Sequence, residues 1–152
     1  MFKNTNVKVT FATGNTIERL LSTQHEEVQN NYEKCAIYLL NCPTCKMKYA
    51  GQTGSPIKMR FQEHLRDFKY GNNKSKFVQP LLENRYAIGP MENIMDSIHI
   101  TNKDRMMDTL EKFYIYREIK SNNQINDKLR VNANAVFETI VHKIHTHATQ
   151  LS

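Results

Sequence analysis

Tyrosine, arginine, histidine and glutamate recur in this chain at spacings that suit chemistry on a phosphodiester. Tyr38 and Tyr49 stand in two short segments, Ala36-Ile37-Tyr38 and Tyr49-Ala50-Gly51, on either side of a Cys42-Pro43-Thr44-Cys45 turn. Arg60 and His64 follow, and a separation of four residues puts both on one side of a helix. A planar guanidinium grips a phosphate with two donors. An imidazole carries a proton, binds a metal or partners a tyrosine. A tyrosine titrates near pH 10, so it is a weak base at neutral pH unless a cation lowers that value. Glu111 is the matching carboxylate. Its helical neighbours are Met107, Leu110, Tyr114 and Ile115, an apolar setting in which a charge needs a metal ion or a buried arginine to offset desolvation. Taken singly, each residue also has a structural reading. The tyrosines can pack a core, Arg60 can be solvated, His64 can be a buried structural ring, and Glu111 can pair with Arg60 or sit at the edge of its stripe.

The elements that must position these side chains are a hairpin and two helices. Ile37, Leu39 and Tyr49 alternate as strand residues do, and Pro43-Thr44 supplies the turn. If Cys42 faces Cys45, equal counting along both strands sets Tyr38 opposite Tyr49, side by side on one face. Gly54-Ser55-Pro56 predicts a helix start, with Ser55 as cap and Pro56 in the first turn. Ile57, Phe61, Leu65 and Phe68 then form an apolar stripe. Lys58, Arg66 and Lys69 fall on more exposed faces, suited to a DNA backbone. A second helix is predicted over Ser75 to Asn84, with a kink or delay at Pro80. Ile94, Ile98 and Ile100 predict a third strand. Asn102 caps a long helix over Lys103 to Lys120, and a last helix is predicted over Ala135 to Ile144. Before the hairpin, Val7, Val9 and Phe11 alternate as a short strand, Asn15 or Thr16 caps a turn through Leu20 and Leu21, and residues 22–34 are polar.

The chain's 152 residues fit one domain able to bury a core. Hydrophobic residues make up 39% of it and the mean hydropathy is −0.62, which fits a compact core with polar ends. We divide it into a connector or arm at 1–34, a domain at 35–140 and a polar, histidine-containing tail at 141–152. A net charge of +6 makes an anionic partner plausible, nucleic acid before an acidic membrane surface. No apolar run approaches the roughly 20 residues that span a bilayer, and the start lacks the apolar core of a signal peptide. An intracellular chain with no membrane partner is expected. Cys35, Cys42 and Cys45 are odd in number and clustered, which argues against a disulfide framework. Cys42 and Cys45 supply two of the four ligands that zinc needs, with His142, His145 and His147 as distant candidates.

Taken together, these residues resemble the GIY-YIG nuclease domain, and in detail the endonuclease of Penelope-like retroelements. The ordered series is Ala36-Ile37-Tyr38, Tyr49-Ala50-Gly51-Gln52-Thr53-Gly54, Arg60-Phe61-Gln62-Glu63-His64, Gly89-Pro90-Met91-Glu92, Thr109-Leu110-Glu111-Lys112-Phe113-Tyr114-Ile115 and Asn122 to Asp127. It covers about residues 35–140. Asn15-Thr16-Ile17 is similar to the connector after the reverse transcriptase in such elements. The resemblance implies a piece of a longer polyprotein with a reverse transcriptase N-terminal to it, or a gene derived from one, acting in the nucleus.

The resemblance also implies an α+β fold, a small three-stranded antiparallel sheet flanked by helices, and metal-dependent nicking of DNA. Tyr38 would act as, or relay to, the base. Tyr49 and His64 would orient the water, Arg60 would bind the scissile phosphate, and Glu111 would hold one Mg²⁺ or Mn²⁺. Asn126 matches the late asparagine of the family, with Asn123 as competitor. All of Tyr38, Tyr49, Arg60, His64 and Glu111 should then line one concavity. Four positions depart from the family. Ala36 replaces a glycine, and Ala50 replaces a larger aliphatic residue at a cost of about 1–3 kcal/mol. Pro80 and Tyr86 stand where zinc-binding histidines are common, which leaves Cys42 and Cys45 as a degenerate knuckle and zinc not expected. The alternative to a nuclease is a domesticated or decaying module that binds DNA without cutting it.

Overall fold

In the computed structural model of the protein, the described residues are 32–100, 105–125, 131 and 134–150. Residues 1–31 of the arm predicted at 1–34, the Asn102 cap and Asn126 lie outside them. The fold is α+β. Strand β1 (Ala36–Asn41) lies between β2 (Lys48–Thr53) and β3 (Met95–Ile100), antiparallel to both. Helices α1 (Ile57–Lys69), α2 (Val78–Glu83) and α3 (Met91–Ile94) come between β2 and β3, and α4 (Arg105–Lys120) and α5 (Ala135–Gln150) follow β3.

Strand β1 is central because its side chains are apolar on both faces. Ala36, Tyr38 and Leu40 join a core with Ile57 and Phe61 of α1, Phe77, Val78 and Leu81 around α2, and Ile94 and Met95. Ile37 and Leu39 point the other way, into a second core with Ala50, Met107, Leu110, Phe113, Tyr114 and residues of α5. The sheet is thus covered on both faces, and a continuous apolar run is what such a strand needs.

The hairpin register is two residues from the predicted one. Tyr38 pairs with Gly51, and Tyr49 with Leu40. The cause is a turn of six residues, 42–47, in place of two. Cys42 donates its N–H to Met47 O at 2.9 Å, Lys46 donates to Cys42 O at 3.0 Å, and Lys46 has φ 62°. A shift of two keeps side-chain parity, so both tyrosines still share a face, with ring centroids 6.4 Å apart.

Strand β3 carries a bulge. Ile37 pairs with His99 but Tyr38 with Ser97, so Ile98 is the extra residue. Met95 and Ile100 therefore reach the same core despite an odd separation, while Ile98 turns to the other. Ile94, read as a strand residue, ends α3 instead.

Helix starts also differ from the predicted ones. Ser55 makes no side-chain cap; Pro56 holds the cap position, and Thr53 Oγ1 accepts the Ser55 N–H at 3.1 Å and donates to Ser55 O at 3.0 Å. Helix α2 begins at Val78 rather than Ser75, which leaves Pro80 in the first turn, where a missing N–H costs little. Helix α5 runs past Ile144 and past residue 141, where the tail was set to begin. It packs on α4 through Phe137 and Val141, with Lys120 and Tyr116 both bonded to Glu138.

Beyond α4, Ile125 N donates to Lys48 O at 2.6 Å and Lys48 N to Asn123 O at 2.8 Å, which ties the segment to the start of β2. The buried Glu118 carboxylate sits beside this seam, 3.0 Å from Arg117 and 3.9 Å from Lys48. Helix α4 is the main support of the second core. Phe113 is fully buried and meets Tyr114 and Phe137 edge-on at 5.5 and 5.6 Å. Phe113→Ala is expected to cost about 3–5 kcal/mol, read as a lower midpoint in urea unfolding with an unchanged slope. A loss below about 1 kcal/mol would show that α4 does not anchor this core.

Candidate active site

Tyr38, Tyr49, Arg60 and His64 come together on the first face of the sheet. Tyr38 is fully buried. Its hydroxyl accepts the Nε–H of Arg60 at 3.2 Å and lies 3.1 Å from His64 Nε2. The approach depends on Gly51. A Cβ there would lie 2.7 Å from both Tyr38 Cζ and its hydroxyl oxygen, and 2.8 Å from Tyr49 Cε1. Any side chain at this position would displace the phenol that the site is built around. The Ala36 methyl, by contrast, is absorbed in the first core opposite Thr53 and Ile100.

Helix α1 presents both partners of the Tyr38 hydroxyl. His64 falls on its buried side with Ile57 and Phe61. The imidazole meets Tyr49 and Phe77 edge-on at 6.0 and 6.1 Å, and its Nδ1 lies 2.7 Å from Ser75 Oγ. Arg60, four residues back, is at the rim with 36% of its side chain exposed. One terminal nitrogen is bonded to Glu63. The guanidinium is thus oriented from two sides and still open to solvent. Lys58, Arg66 and Lys69 are all exposed on α1, and Lys69 lies over the Tyr70 ring at 5.8 Å.

Electrostatics within the cluster are dominated by burial. Desolvation pushes the Tyr38 phenol well above its ordinary value. The neighbouring Tyr49 and the Glu111 carboxylate add to that rise, while Arg60 opposes it and does not win. The expectation that a cation would pull the phenol down is not met by Arg60 alone. Burial, and then the Arg60 charge, push the His64 imidazole down to about 4, so it is neutral at physiological pH.

Glu111 rises from α4, the helix on the second face, and is half-buried. It comes from the opposite face of the sheet to the four side chains gathered above, and its link to them is the charge felt at Tyr38. Gln52, next to Gly51, donates its side-chain amide to Glu111 Oε2 at 3.2 Å and to Asp108 Oδ1 at 2.6 Å. Among the described residues no three of His, Cys, Asp and Glu group as metal ligands. A single Mg²⁺ needs less, since it keeps several waters and is commonly held by one or two carboxylates with substrate phosphates. The hard oxygens of Glu111 fit such an ion. At the hairpin turn, Cys42 is buried and Cys45 exposed. Cys42 Sγ accepts the Cys45 N–H at 3.4 Å, so the turn carries its own hydrogen bonds. Pro80 and Tyr86 are half-buried, and Tyr86 packs against the first core.

Sequence reasoning missed Ser75, Gln52 and Asp108. Asp108 had a legible signal, a carboxylate one helical turn before Glu111. Ser75 had none beyond its place before a helix. A cavity of about 220 Å³ lies towards the other end of β2, lined by Lys48, Arg117, Glu118, Ser121, Asn123, Val141 and Ile144. Among the described residues, Asn123, the competitor to Asn126, borders it, while Tyr38, Tyr49, Arg60, His64 and Glu111 do not, so we assign it no part in the chemistry. Comparison of the chain with protein-family models, curated proteins and solved structures finds no match.

The buried neutral His64 makes stability acid-sensitive. Between pH 6.5 and about 4 the unfolded chain binds a proton at this residue and the folded chain does not. Stability therefore falls as pH drops through that window and levels off below it. The native chain is expected to lose about 3 kcal/mol more than His64→Gln between pH 7 and pH 4, measured by denaturant unfolding at each pH. Parallel curves for the two chains would contradict a neutral buried imidazole.

Proposed function

We propose that the chain is a GIY-YIG-type endonuclease, closest to that of Penelope-like retroelements, which nicks DNA by metal-dependent phosphodiester hydrolysis. One observation carries the proposal: a buried tyrosine hydroxyl held by an arginine and a histidine, near enough to a carboxylate to feel its charge. The exposed Lys58, Arg66 and Lys69 of α1 would add positive charge that draws a duplex toward this helix, and a phosphate would meet the open edge of Arg60. Fixed by Tyr38 and Glu63, that guanidinium needs little reorganisation to meet charge building on the phosphate oxygens. Glu111 would hold the Mg²⁺ or Mn²⁺, which supplies Lewis-acid charge at the phosphate. Tyr38 in its ionised form would act as, or relay to, the base that takes the proton of the attacking water, with Arg60 Nε–H supporting the phenolate. Tyr49 and the neutral His64 hold the phenol in place.

Burial of Tyr38 favours a second reading, a module that binds DNA without cutting it, because a phenol held protonated is an inefficient base. The two readings diverge in a plasmid-nicking assay with Mg²⁺ or Mn²⁺. The native chain is expected to nick supercoiled DNA, and Glu111→Ala to lose at least about a hundredfold in rate. Because the phenol is pushed up, the native rate should rise with pH above neutrality, approaching about tenfold per unit. Native binding without nicking would favour the second reading. Equal nicking by the native and Glu111→Ala chains would sink the site assignment.

A further inference from the structure

Ser75 lies outside helix α1, and nothing in the residue pattern assigns it a role, yet it completes a buried chain of three hydroxyl and imidazole groups. The order is Ser75 Oγ, His64 Nδ1 at 2.7 Å, His64 Nε2, and Tyr38 oxygen at 3.1 Å. Serine is 6% exposed, histidine 1% and tyrosine 0%, so solvent does not decide which way the protons point. Each end of the chain already accepts an N–H: Val78 N donates to Ser75 Oγ at 3.4 Å, and Arg60 Nε to the Tyr38 oxygen at 3.2 Å.

Three protons share two links, so one end keeps a proton that the chain does not use. If Tyr38 donates to Nε2, Nδ1–H donates to Ser75, and the serine proton is left over. If Ser75 donates to Nδ1, Nε2–H donates to Tyr38, and the tyrosine proton is left over. The distances favour the second order. An N–H donor to oxygen prefers about 2.9–3.0 Å within a range of about 2.7–3.2 Å, so Nε2–H suits the tyrosine link while Nδ1–H at the serine link would sit at the short limit. The serine link is the short one and the tyrosine link the long one.

We propose that Ser75 is a positioning residue that donates its hydroxyl proton to Nδ1 and thereby holds His64 as the Nε2–H tautomer. The Tyr38 oxygen then receives two donors, Arg60 Nε–H and His64 Nε2–H, and its own proton is the one available to leave. His64 is a donor to the phenolate rather than a relay for the proton. Its neutral state fits that role, since a proton passed to it would sit buried beside Arg60. The proposal rests on the nuclease reading for its catalytic meaning, but the tautomer is a property of the folded chain alone.

The test is a long-range ¹H–¹⁵N correlation spectrum of the full chain with ¹⁵N-labelled histidine, His64 being assigned by the signals lost in His64→Gln. In the native chain Nε2 should be the protonated, pyrrole-type nitrogen and Nδ1 the bare, downfield one. Ser75→Ala should lose that bias and Ser75→Thr should keep it. In the nicking assay Ser75→Ala should slow the rate about ten- to a hundredfold, with rescue by Ser75→Thr. A native spectrum with Nδ1 protonated would overturn the proposal, and so would a Ser75→Ala chain that keeps the full Nε2–H population. The native spectrum decides even if Ser75→Ala does not fold. A chain that never nicks leaves the spectrum intact, so failure of the nuclease reading is distinguishable from failure of this one.

Discussion

The Tyr38 hydroxyl is the point on which the architecture turns. A phenol oxygen with no solvent contact must find its partners within the protein, and those partners come from α1, whose Arg60 and His64 both reach it. Helix α1 can present them only because β1 is the middle strand, which sends Tyr38 up from the floor of the first core. The hydroxyl in turn ends over a position where even one carbon more would collide with it. The bulge at Ile98 shifts the β3 register so that Ser97, across β1 from Gly51, is the partner of Tyr38. Removing the oxygen's partners would leave a polar atom in an apolar core, a cost of about 1–3 kcal/mol. The same contacts therefore serve stability and, on the proposed reading, chemistry.

The charges around that oxygen pull in opposite directions. Burial and Glu111 keep the phenol protonated, and Arg60 resists. The same arginine helps to keep His64 neutral. One guanidinium thus biases both groups toward their uncharged or anion-supporting states without a formal ion pair inside the core. Glu111 adds a charge from the far face of the sheet, and its sign matters. Free, the carboxylate holds the phenol proton on; covered by a divalent ion, the same position presents net positive charge and favours its release. On the proposed nuclease reading, the site would be at rest until cation and phosphate arrive together.

Much of this was legible in the sequence, because the elements obey local rules. The two hairpin strands, the 57–61–65–68 stripe and the long helix around Glu111 all appear where patterning puts them, although β1 is apolar on both faces rather than alternating. What escaped was set by geometry that no local rule carries. The six-residue turn hid behind Pro43-Thr44, which looks like a two-residue one, because its closure depends on Lys46 taking a left-handed conformation that its residue type does not advertise. Side-chain parity survived the error, so the tyrosines were put on the right face for an incorrect register. Ser55 looked like a cap, but Thr53 has already closed that turn. Ser75 was invisible because its importance lies in a contact across eleven residues, and tertiary contacts of that range leave no periodicity.

Strand β2 explains why the candidate site sits at one end of the sheet and not the other. Its first residue, Lys48, is locked: the backbone pairs with Asn123 and Ile125, and the buried Glu118 lies beside it. Its later residues, Gly51 and Gln52, are not sealed in this way. Because β2 is an edge strand, groups from the two faces can approach each other around it, which a central strand would prevent. Gly51 leaves room on the first face for Tyr38. Gln52, pointing the other way, holds the carboxylates of α4 at the rim. A dipeptide whose side chains point to opposite faces, one absent and one bridging, is the shortest device by which a covered sheet can bring a buried phenol and a distant carboxylate into electrostatic reach. Locking the other end of the strand keeps that device in register, since a slip of one residue would exchange Gly51 for Gln52 beneath Tyr38.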